Sequence, residues 1–463
     1  MTLAPWQAKV VAAGELFRVG GSVRDRLLGV RDVADTDYLV RAIPPETLEA
    51  ILEHHGAWSR VGKAFGVYKF KPRDDGPAVD IAFPRTETST GTGHRDFHVR
   101  FDWTLPVEAD LGRRDFTMNA IAERMPGGEL VDPWNGSADI ASGVLRMIFA
   151  RAFVEDPLRV LRGARFAARF DLTVEGGTRA AMTAAAGLVS TVSAERVQDE
   201  LTKTMLQCER PSRMLDLLHE TGSLAAWLPE LERCAGVEQN EYHPDDVYWH
   251  SLKSCDAAPQ ESLLVRWAAL LHDLGKVDTR QVLHEEGASR VVFYGHEIVS
   301  AEHAQRVLER LRYSREFIAR CRHVVREHMY HYEPAWKEAT VRRFMRRIGD
   351  DALEDLLELR AADSRSRDLH AELSSLAELR SRIDAERRAR AVLTVHDLAI
   401  DGRDVMEATG MNPGPAIGRV LEALLERVTE EPQMNTRETL LAELKGMWEV
   451  KRGSGEQKSR KPA

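Results

Sequence analysis

The sequence predicts an α+β protein in which a small domain built on a mixed β-sheet is followed by an extended all-α region. Residues 1–135 hold short apolar segments separated by glycine and proline turns, a pattern typical of β-strands. From Pro157 onward, apolar residues recur at helical spacing in a chain rich in Ala, Leu, Arg and Glu. A chain of 463 residues with 43% hydrophobic residues is long enough for about two to four domains.

The β-type segments come first, and the predicted strands are 16–19, 38–40, 66–70, 79–81 and 130–131. Helical patterning then continues, with proline and glycine mainly confined to gaps such as Leu228-Pro229 and 412–415. We therefore expect the remainder to be nearly all helix. Residues 451–463 are basic and lack apolar periodicity, so we expect a disordered basic tail there.

Composition argues against several classes of protein. The formal net charge of −9 disfavours a histone-like binder of nucleic acid, because such binding depends on many phosphate contacts from Lys and Arg, although a local basic patch can still bind RNA. The four cysteines form no CxxC pair, so neither a disulfide framework nor a thiolate zinc site is expected. We see no signal peptide and no apolar run of about 18 residues, and we expect a cytoplasmic protein without membrane contact.

A glycine pair follows the first predicted strand. Gly20 and Gly21 stand where the chain would turn from that strand into a helix containing Arg24. Such a turn lets backbone N–H groups approach a triphosphate, and Arg24 adds positive charge. Because an ordinary tight turn also uses glycine pairs, the neighbouring residues must decide between the two interpretations.

Two aspartates follow in Asp35-Thr36-Asp37. If Asp37 begins a strand, the period of two places both carboxylates on one face. Carboxylates beside a phosphate site hold Mg²⁺, and phosphoryl transfer requires metal at the attacking hydroxyl and at the leaving pyrophosphate. We therefore expect Asp35 and Asp37 to be catalytic and to bind a pair of Mg²⁺ ions. Asp80, in a later strand, is either a third carboxylate that helps to deprotonate the hydroxyl or an exposed strand residue.

From these residues onward, the sequence resembles the class II tRNA nucleotidyltransferase and bacterial poly(A) polymerase family. The opening motif of that family is a Gly-Gly-x-Val-Arg-Asp turn followed by Asp-x-Asp, as in 20–25 and 35–37. Further motifs follow in order at 113–120, 132–140, 155–166 and 195–201. Ordered motifs over this length are far more specific than any single pattern.

The resemblance implies a nucleotide site, whose members are Gly20, Gly21, Arg24, Arg113, Arg114, Asp115, Asn119, Asp156, Arg159, Arg162 and Arg165. Guanidinium groups such as those of Arg113 and Arg114 can fork onto phosphate oxygens. Residues 155–165 are expected to be helical, with Pro157 in the first turn and the three later arginines on one face.

The resemblance also implies that Asp156 and Arg159 take the place of a nucleic-acid template. A carboxylate accepts from the exocyclic amine of C or A, while a guanidinium donates to the ring nitrogen beside it. U and G present a carbonyl oxygen where the amine should be, opposite the carboxylate. Both wrong bases would therefore be rejected.

Several activities remain open within the family: addition of the full CCA end, addition of CC or A alone, and poly(A) synthesis. The long glycine-bearing connector 83–111 favours full CCA addition, because a loop at this place is associated in the family with the switch from C to A. Bacterial poly(A) polymerases typically carry Gly-Arg-Arg-Phe near the second strand, whereas residues 61–67 read Val-Gly-Lys-Ala-Phe-Gly-Val. We expect tRNA, CTP and ATP as partners, and neither DNA nor a membrane.

A second motif, Leu-Leu-His-Asp-Leu-Gly-Lys at 270–276, resembles the signature of the HD phosphohydrolase superfamily. The predicted ligands of a divalent metal are His250, His272, Asp273 and Asp363, with His296 and His328 as further candidates. Imidazoles and carboxylates from separate helices can converge on a cation that activates water for phosphate-ester hydrolysis, here a 2′,3′-cyclic phosphodiesterase or phosphatase reaction. A related helical fold that only binds RNA is the alternative.

The expected domains are a catalytic head (1–145), a neck with the templating helix (146–210), a helical body (211–245), an HD domain (246–390), a tRNA-binding helical tail (391–450) and the basic segment 451–463. Arginines between Arg306 and Arg347 are candidates for a positive groove, and 400–404 with 414–418 resembles the region of the family that grips the tRNA elbow. Two interpretations from other classes compete: an HD phosphohydrolase with a vestigial head, and a non-catalytic RNA-binding module. The intact head motifs argue against both.

Overall fold

The computed structural model describes residues 3–30, 36–61, 66–74, 76–89, 97–239, 245–285, 288–389 and 391–458. Contacts divide the chain into two compact units. The first unit comprises the chain up to Glu238 together with 245–252 and 306–314, and the second comprises 239–244, 253–305 and 315–463. The domain boundaries expected from the sequence are finer than this division, and they stay a prediction.

The first unit contains the β-rich part of the chain. Its strands are β1 (Glu15–Val19), β2 (Asp37–Arg41), β3 (Gly56–Val61), β4 (Val67–Pro72), β5 (Val79–Ala82), β6 (Arg85–Ser89), β7 (Phe97–Phe101), β8 (Ala122–Met125), β9 (Leu130–Val131), β10 (Val144–Leu145) and β11 (Thr173–Val174). Its helices are α1 (Pro5–Ala13), α2 (Gly21–Leu27), α3 (Pro45–His55), α4 (Val107–Leu111), α5 (Gly136–Ala141), α6 (Ala152–Glu155), α7 (Leu158–Phe170), α8 (Gly176–Ala184), α9 (Ala194–Gln207), α10 (Ser212–Glu220) and α11 (Pro229–Glu232).

Seven of these strands form one mixed sheet in the order β3-β4-β5-β2-β1-β8-β9. β2 and β5 are parallel, and the other neighbours are antiparallel. Successive residues of a strand point to opposite faces, so Leu16 packs into a core with α1 and α3 while Phe17 packs into a second core with α4. The mixed-sheet head is confirmed. The sequence did not predict β3, and all of its residues are exposed or half-buried.

The second unit is mainly helical. After α12 (Val247–Ala257), which belongs to both units, its elements are α13 (Leu263–Leu271), α14 (Lys276–Thr279), β12 (Gln281–Glu285), β13 (Ala288–Val292), α15 (His296–Arg310), α16 (Arg315–Glu327), α17 (Glu338–Ile348), α18 (Asp350–Ser366), α19 (His370–Arg388), α20 (Gly402–Thr409), α21 (Pro415–Glu430) and α22 (Arg437–Lys458). The end of α15, from residue 306, lies in the first unit.

Two features of this helical region differ from the sequence prediction. An antiparallel hairpin, β12–β13, interrupts the helices, and Val282 lies opposite Val291 in it. Helix α22 extends as far as Lys458, into the segment expected to be a disordered tail; residues 459–463 lie outside the described residues.

The arginines of α17 are engaged in ion pairs. Arg342 lies 2.9 Å from Glu386 of α19, and Arg346 lies 2.9 Å from Glu426 of α21. These side chains therefore tie helices of the second unit together, and the positive groove suggested by the sequence stays a prediction. In the segment 400–404, Asp401 caps the amino end of α20. No helix among the described residues has the length and apolarity needed to cross a membrane.

Candidate active site

A cleft of about 570 Å³ opens in the first unit and gathers most of the predicted head residues. Its lining includes Gly20, Gly21, Arg24, Asp37, Arg113, Arg114, Asp115, Asn119, Asp156, Arg159, Arg162 and Arg165. Asp35 lies outside the described residues. Apart from that residue, the structure brings the predicted nucleotide and metal residues of the head to one place.

The glycine turn lies between β1 and α2, as the sequence predicts. Gly20 has a φ of +73°, a left-handed conformation that glycine adopts without strain. A Cβ atom at this position would lie 3.0 Å from Nη1 of Arg114 and 3.5 Å from Oδ2 of Asp37. Glycine therefore lets the turn approach both the acidic and the basic side of the cleft.

Asp37 is the first residue of β2, one position before the predicted strand 38–40, and its neighbour in the parallel register is Asp80 of β5. Residues paired in this way point to the same face of the sheet. Asp37 is exposed, and the Asp80 side chain is 45% exposed with Nζ of Lys69 at 3.7 Å. Carboxylate oxygens at an accessible edge are ligands that hard divalent cations prefer.

The arginine pair is held by a residue that the sequence interpretation missed. Arg113 donates from Nε and Nη2 to Oδ1 of Asp110, at 2.9 and 2.8 Å, while Arg114 donates to Oδ2 at 3.1 Å. Burial by itself would raise the pKa of Asp110, but Arg114 and Arg113 outweigh it and hold the pKa below its usual value. The ionised carboxylate thus orients both guanidinium groups. Its spacing of three and four residues from them was the signal available in the sequence.

A chain of polar side chains crosses the floor of the cleft. Nη1 of Arg24 donates to Oδ1 of Asn119 at 2.8 Å, and Nδ2 of Asn119 donates to Oδ1 of Asp115 at 2.8 Å. Nε of Arg162 donates to Oδ2 of Asp115, also at 2.8 Å. Burial opposes the charge on Asp115, but Arg162 and Asn119 lower its pKa overall. Asp115 and Asn119 therefore position Arg24 and Arg162, the arginines at the two ends of this hydrogen-bonded row.

The continuous helix expected over 155–165 is broken in the structure. α6 ends at Glu155, and Asp156 is extended, with φ −138° and ψ 97°, before α7 begins at Leu158. Pro157 explains the break, because proline disfavours helical geometry in the residue before it and supplies no N–H group. The extended backbone frees Asp156 from a helix face.

The two predicted templating residues are held separately. Asp156 accepts from Nη2 of Arg196 at 2.9 and 3.2 Å and from the backbone N–H of Leu158 at 3.2 Å. Nη2 of Arg159 donates to the carbonyl oxygen of Arg113 at 2.9 Å, and its guanidinium lies 5.5 Å from the ring centre of Phe149. Each group keeps further donors or acceptors for a ligand.

Arg165 lies deeper than the other arginines of α7. Its Nε donates to Oε2 of Glu200 at 2.6 Å, and both side chains are buried. Nη1 of Arg162 is 3.8 Å from Oε1 of the same glutamate. Glu200 and Arg196 both lie on α9. The motif at 195–201 therefore supplies the acceptor and the donor that hold side chains of the motif at 155–166. Contact of Arg165 with a nucleotide stays a prediction.

A second cavity, of about 590 Å³, lies within the second unit. The predicted metal residues that line it are His272, Asp273, His296, His328 and Asp363. Asp273, His296 and His328 each offer a ligand atom within 4.8 Å of the others. Nε2 of His296 lies 3.2 Å from Asp273, and Nε2 of His272 lies 3.3 Å from it. His250 is buried on α12, in the part that belongs to the first unit.

The three histidines of this cavity share one orientation. Their Nδ1 atoms lie 2.7–2.8 Å from backbone carbonyl oxygens three residues earlier. A carbonyl only accepts, so each Nδ1 carries a proton and donates to it, and Nε2 is the ring nitrogen that can bind a metal. Burial, followed by the charge of His272, lowers the pKa of His328 to about 3. A histidine whose Nδ1 donates to a backbone carbonyl is held in the orientation that metal-binding histidines adopt.

The cavity also contains charged groups that the sequence interpretation left out. Nζ of Lys276 lies 2.7 Å from Asp273 and donates to Gln239 at 2.6 Å. Nη2 of Arg367 lies 2.8 Å from Asp363. Lys276 is the last residue of the HD motif itself, whereas nothing in the local sequence marks Arg367.

Three family profiles match the chain. The one described as the Poly A polymerase head domain matches residues 16–146, and the probable RNA and SrmB-binding site of polymerase A matches 171–234. The profile described as a putative tRNA nucleotidyltransferase domain 2 matches residues 281–444.

Similar proteins are found along most of the chain. The multifunctional CCA protein of Aromatoleum aromaticum is 40% identical over 367 residues, which are 76% of this chain and 85% of that protein. The multifunctional CCA protein of Burkholderia lata is 37% identical over 430 residues, 88% of this chain and 99% of that protein. The crystal structure of the Bacillus stearothermophilus CCA-adding enzyme in complex with CTP has a TM-score of 0.68 and 24% identity, covering 99% of this chain and 100% of that one. This last likeness shows the fold.

Proposed function

This chain belongs to the family of the multifunctional CCA proteins, and from that premise we propose that it adds C, C and A to the 3′ end of tRNA. The substrates are tRNA, CTP and ATP, and no nucleic-acid template takes part. The reaction is a nucleotidyl transfer, in which the terminal hydroxyl of the RNA attacks the α-phosphate and pyrophosphate leaves. It belongs to tRNA 3′-end processing and repair.

One observation carries this proposal: a single cleft holds the glycine turn, the carboxylate of Asp37, the arginine pair and the base-reading candidates Asp156 and Arg159. A triphosphate needs cations and backbone N–H groups, and a base needs a donor and an acceptor in fixed positions. The cleft offers both sets within about 570 Å³, a volume suited to a small ligand.

We assign the metal to Asp35 and Asp37, and Asp80 of β5 is the register partner of Asp37. Their oxygen donors suit Mg²⁺, which binds proteins through a few carboxylates and substrate phosphates. When bound, Mg²⁺ lowers the pKa of the attacking hydroxyl and neutralises charge on the leaving pyrophosphate. The chain's own part is to hold the triphosphate, which we assign to the Gly20-Gly21 turn, Arg24 and the Asp110-oriented arginine pair.

Base selection is assigned to Asp156 and Arg159. Arg196 and the N–H of Leu158 fix the carboxylate of Asp156, and the carbonyl of Arg113 fixes Arg159. An incoming C or A would donate its amine to Asp156 and accept from Arg159. U and G would place a carbonyl oxygen against the carboxylate, which costs a hydrogen bond and adds repulsion.

Full CCA addition is favoured over CC-only addition by the connector between β5 and α4. The described part of this connector contains the antiparallel pair β6 and β7, while residues 90–96 lie outside the described residues. Partial addition and poly(A) synthesis are the competing outcomes of the test below. We further propose the domain order from head to helical tail given by the sequence, and a cytoplasmic location.

The test uses purified protein and tRNA transcripts ending before the CCA, after the first C, or after both C residues. We expect CTP alone to extend the first two transcripts and ATP alone to extend the third, each by the correct number of nucleotides. Arrest after CC with ATP present would identify a CC-adding enzyme. Long adenylate tails on an unrelated RNA would identify a poly(A) polymerase.

A second activity, hydrolysis of phosphate esters, is favoured by the histidine cluster of the second unit. Its Nε2 atoms meet beside Asp273, and those of His296 and His328 are buried without a hydrogen-bond partner among the described atoms. A divalent cation would satisfy these atoms and supply an activated water. We propose a 2′,3′-cyclic phosphodiesterase or phosphatase reaction at this cavity. Assays of the wild-type protein with Mg²⁺, Mn²⁺, Ni²⁺ or Co²⁺ test it, and absence of hydrolysis with every metal would make the region structural.

A further inference from the structure

Large apolar side chains are exposed beside the histidine cluster. Among the described residues, nine large apolar side chains are exposed, and three of them lie within two residues of His296 or His328. These are Tyr294, Ile298 and Met329, with exposed fractions of 64%, 43% and 55%. Exposed apolar groups that gather at one place indicate a binding surface.

Tyr294 and Met329 face the same cavity as Asp273. Met329 follows His328 directly, and Tyr294 is separated from His296 only by Gly295, whose φ of +74° turns the chain between an exposed and a buried residue. The rings of His296 and His328 are 5.2 Å apart. The two exposed side chains therefore line the same cavity as the imidazoles of the proposed metal site.

Four cationic groups also line this cavity, namely Lys276, Arg290, Arg360 and Arg367, together with the carboxylates of Asp273, Glu297, Asp363 and Glu372. Nε of Arg367 is buried without a hydrogen-bond partner among the described atoms. The guanidinium of Arg360 lies 3.7 Å from Glu372 and 5.8 Å from the ring centre of Tyr330. Guanidinium and ammonium groups inside a pocket can donate to the oxygens of a phosphate ester, and an apolar protein partner offers them no such acceptor.

We propose that Tyr294 and Met329 form a clamp for a nucleobase at the mouth of this cavity, so that the site takes nucleotide esters in preference to base-free phosphate esters. Tyrosine provides an aromatic face on which a base stacks, and the polarizable thioether of methionine packs against the other face. A volume of about 590 Å³ accommodates a nucleotide. The clamp makes the proposed phosphohydrolase selective for esters that carry a base. Its role in catalysis rests on that proposed function.

The kinetic test compares adenosine 2′,3′-cyclic phosphate with glycerol 1,2-cyclic phosphate, which has the same ester and no base. For the cyclic nucleotide, Tyr294→Ala should raise KM about tenfold with little change in kcat, and Met329→Ala should raise it less. Tyr294→Phe should keep the wild-type KM, because the ring remains. The control Leu130→Ala removes an exposed leucine of the first unit and should change neither substrate.

A binding test does not depend on turnover. Calorimetry with adenosine 2′-monophosphate and with inorganic phosphate is done on the full chain carrying Arg159→Ala, which disables base binding in the head. Adding Tyr294→Ala should weaken the nucleotide about tenfold and leave phosphate unchanged.

The two tests separate failure of the clamp from failure of the hydrolase. If neither ester is hydrolysed, the hydrolase proposal fails and calorimetry alone decides on the clamp. Equal affinity of the two proteins for the nucleotide would overturn the clamp. So would a Tyr294→Ala effect of equal size on the two cyclic esters, or a variant that only shifts the oligomeric state, since the apolar surface would then be a protein interface.

Discussion

The carboxylate of Asp156 accepts hydrogen bonds from Nη2 of Arg196 at 2.9 and 3.2 Å. This contact joins the break between α6 and α7 to helix α9, and it fixes the plane of the carboxylate that we assign to base selection. Asp156 is thus oriented before any nucleotide arrives. Preorganised groups of this kind discriminate better than mobile ones, because no ordering cost falls on the correct ligand.

Arg196→Ala should therefore reduce base selectivity rather than abolish addition. We expect the incorporation rate of UTP and GTP to rise about tenfold relative to that of CTP and ATP, because a mobile carboxylate repels the carbonyl oxygen of the wrong base less strongly. Single-nucleotide incorporation with all four triphosphates measures this. Arg196→Lys should restore part of the selectivity through a single charge-assisted contact. Unchanged selectivity in the alanine variant would leave Arg196 with a purely structural role.

Removing the templating groups themselves should have distinct effects. Asp156→Ala should lower the rate with CTP and ATP and raise the relative use of UTP and GTP, by roughly tenfold to a hundredfold. Arg159→Ala should weaken both correct nucleotides without favouring a particular wrong one. The measurement is steady-state incorporation of each nucleotide into tRNA ending before CCA. If both variants keep the wild-type base preference, selection takes place elsewhere.

The carboxylates of the head should matter for chemistry and not for RNA affinity. Asp35→Ala with Asp37→Ala should abolish addition while tRNA binding, followed by filter retention, stays within about threefold, because the metal ligands and not the RNA contacts are lost. Asp80→Asn should reduce the rate if this residue assists the hydroxyl, and leave it unchanged if Lys69 merely pairs with it. Residual addition in the double variant would contradict the metal assignment.

The two proposed activities should separate by mutation. His272→Asn and Asp273→Asn should remove any ester hydrolysis, because each replaces a ligand of the proposed metal. CCA addition should be retained, since the head cleft is built from residues of the first unit alone. A parallel loss of both activities would mean that these residues support folding, and thermal unfolding of the variants would show it.

Asp115 should contribute stability that depends on pH. Its pKa lies below the usual range, because Arg162 and Asn119 outweigh the effect of burial. A depressed carboxyl pKa stabilises the folded state above the ordinary value of about 3.9, and the contribution is lost as pH falls below it. Asp115→Asn should lower the unfolding free energy at pH 7 by about 1–3 kcal/mol, and the difference from wild type should shrink below about pH 4. Urea titrations at both pH values measure it; a constant difference would contradict the assignment.

Sequence alone was sufficient for the features that are local or periodic. The apolar segment 38–40 predicted the strand β2, which begins at Asp37, and the glycine pair marks the turn from β1 to α2. The α+β order of the chain also followed from the change of period near Pro157. The histidine-aspartate motif indicated the cavity of the second unit, which His272 and Asp273 line.

Tertiary structure decided the partners of those residues, because the partners come from distant parts of the chain. Arg165 meets Glu200 across 35 positions, and Asp156 meets Arg196 across 40 positions. No spacing rule reports such contacts, since they depend on how α7 and α9 pack. The break at Pro157 was open to prediction from the restriction that proline places on the preceding residue, but the direction it gives to Asp156 was not. The sequence by itself determined which chemical groups are available, and only packing determined which of them meet and which face a ligand, because side chains far apart in the chain are brought into contact by burial of their helices and strands.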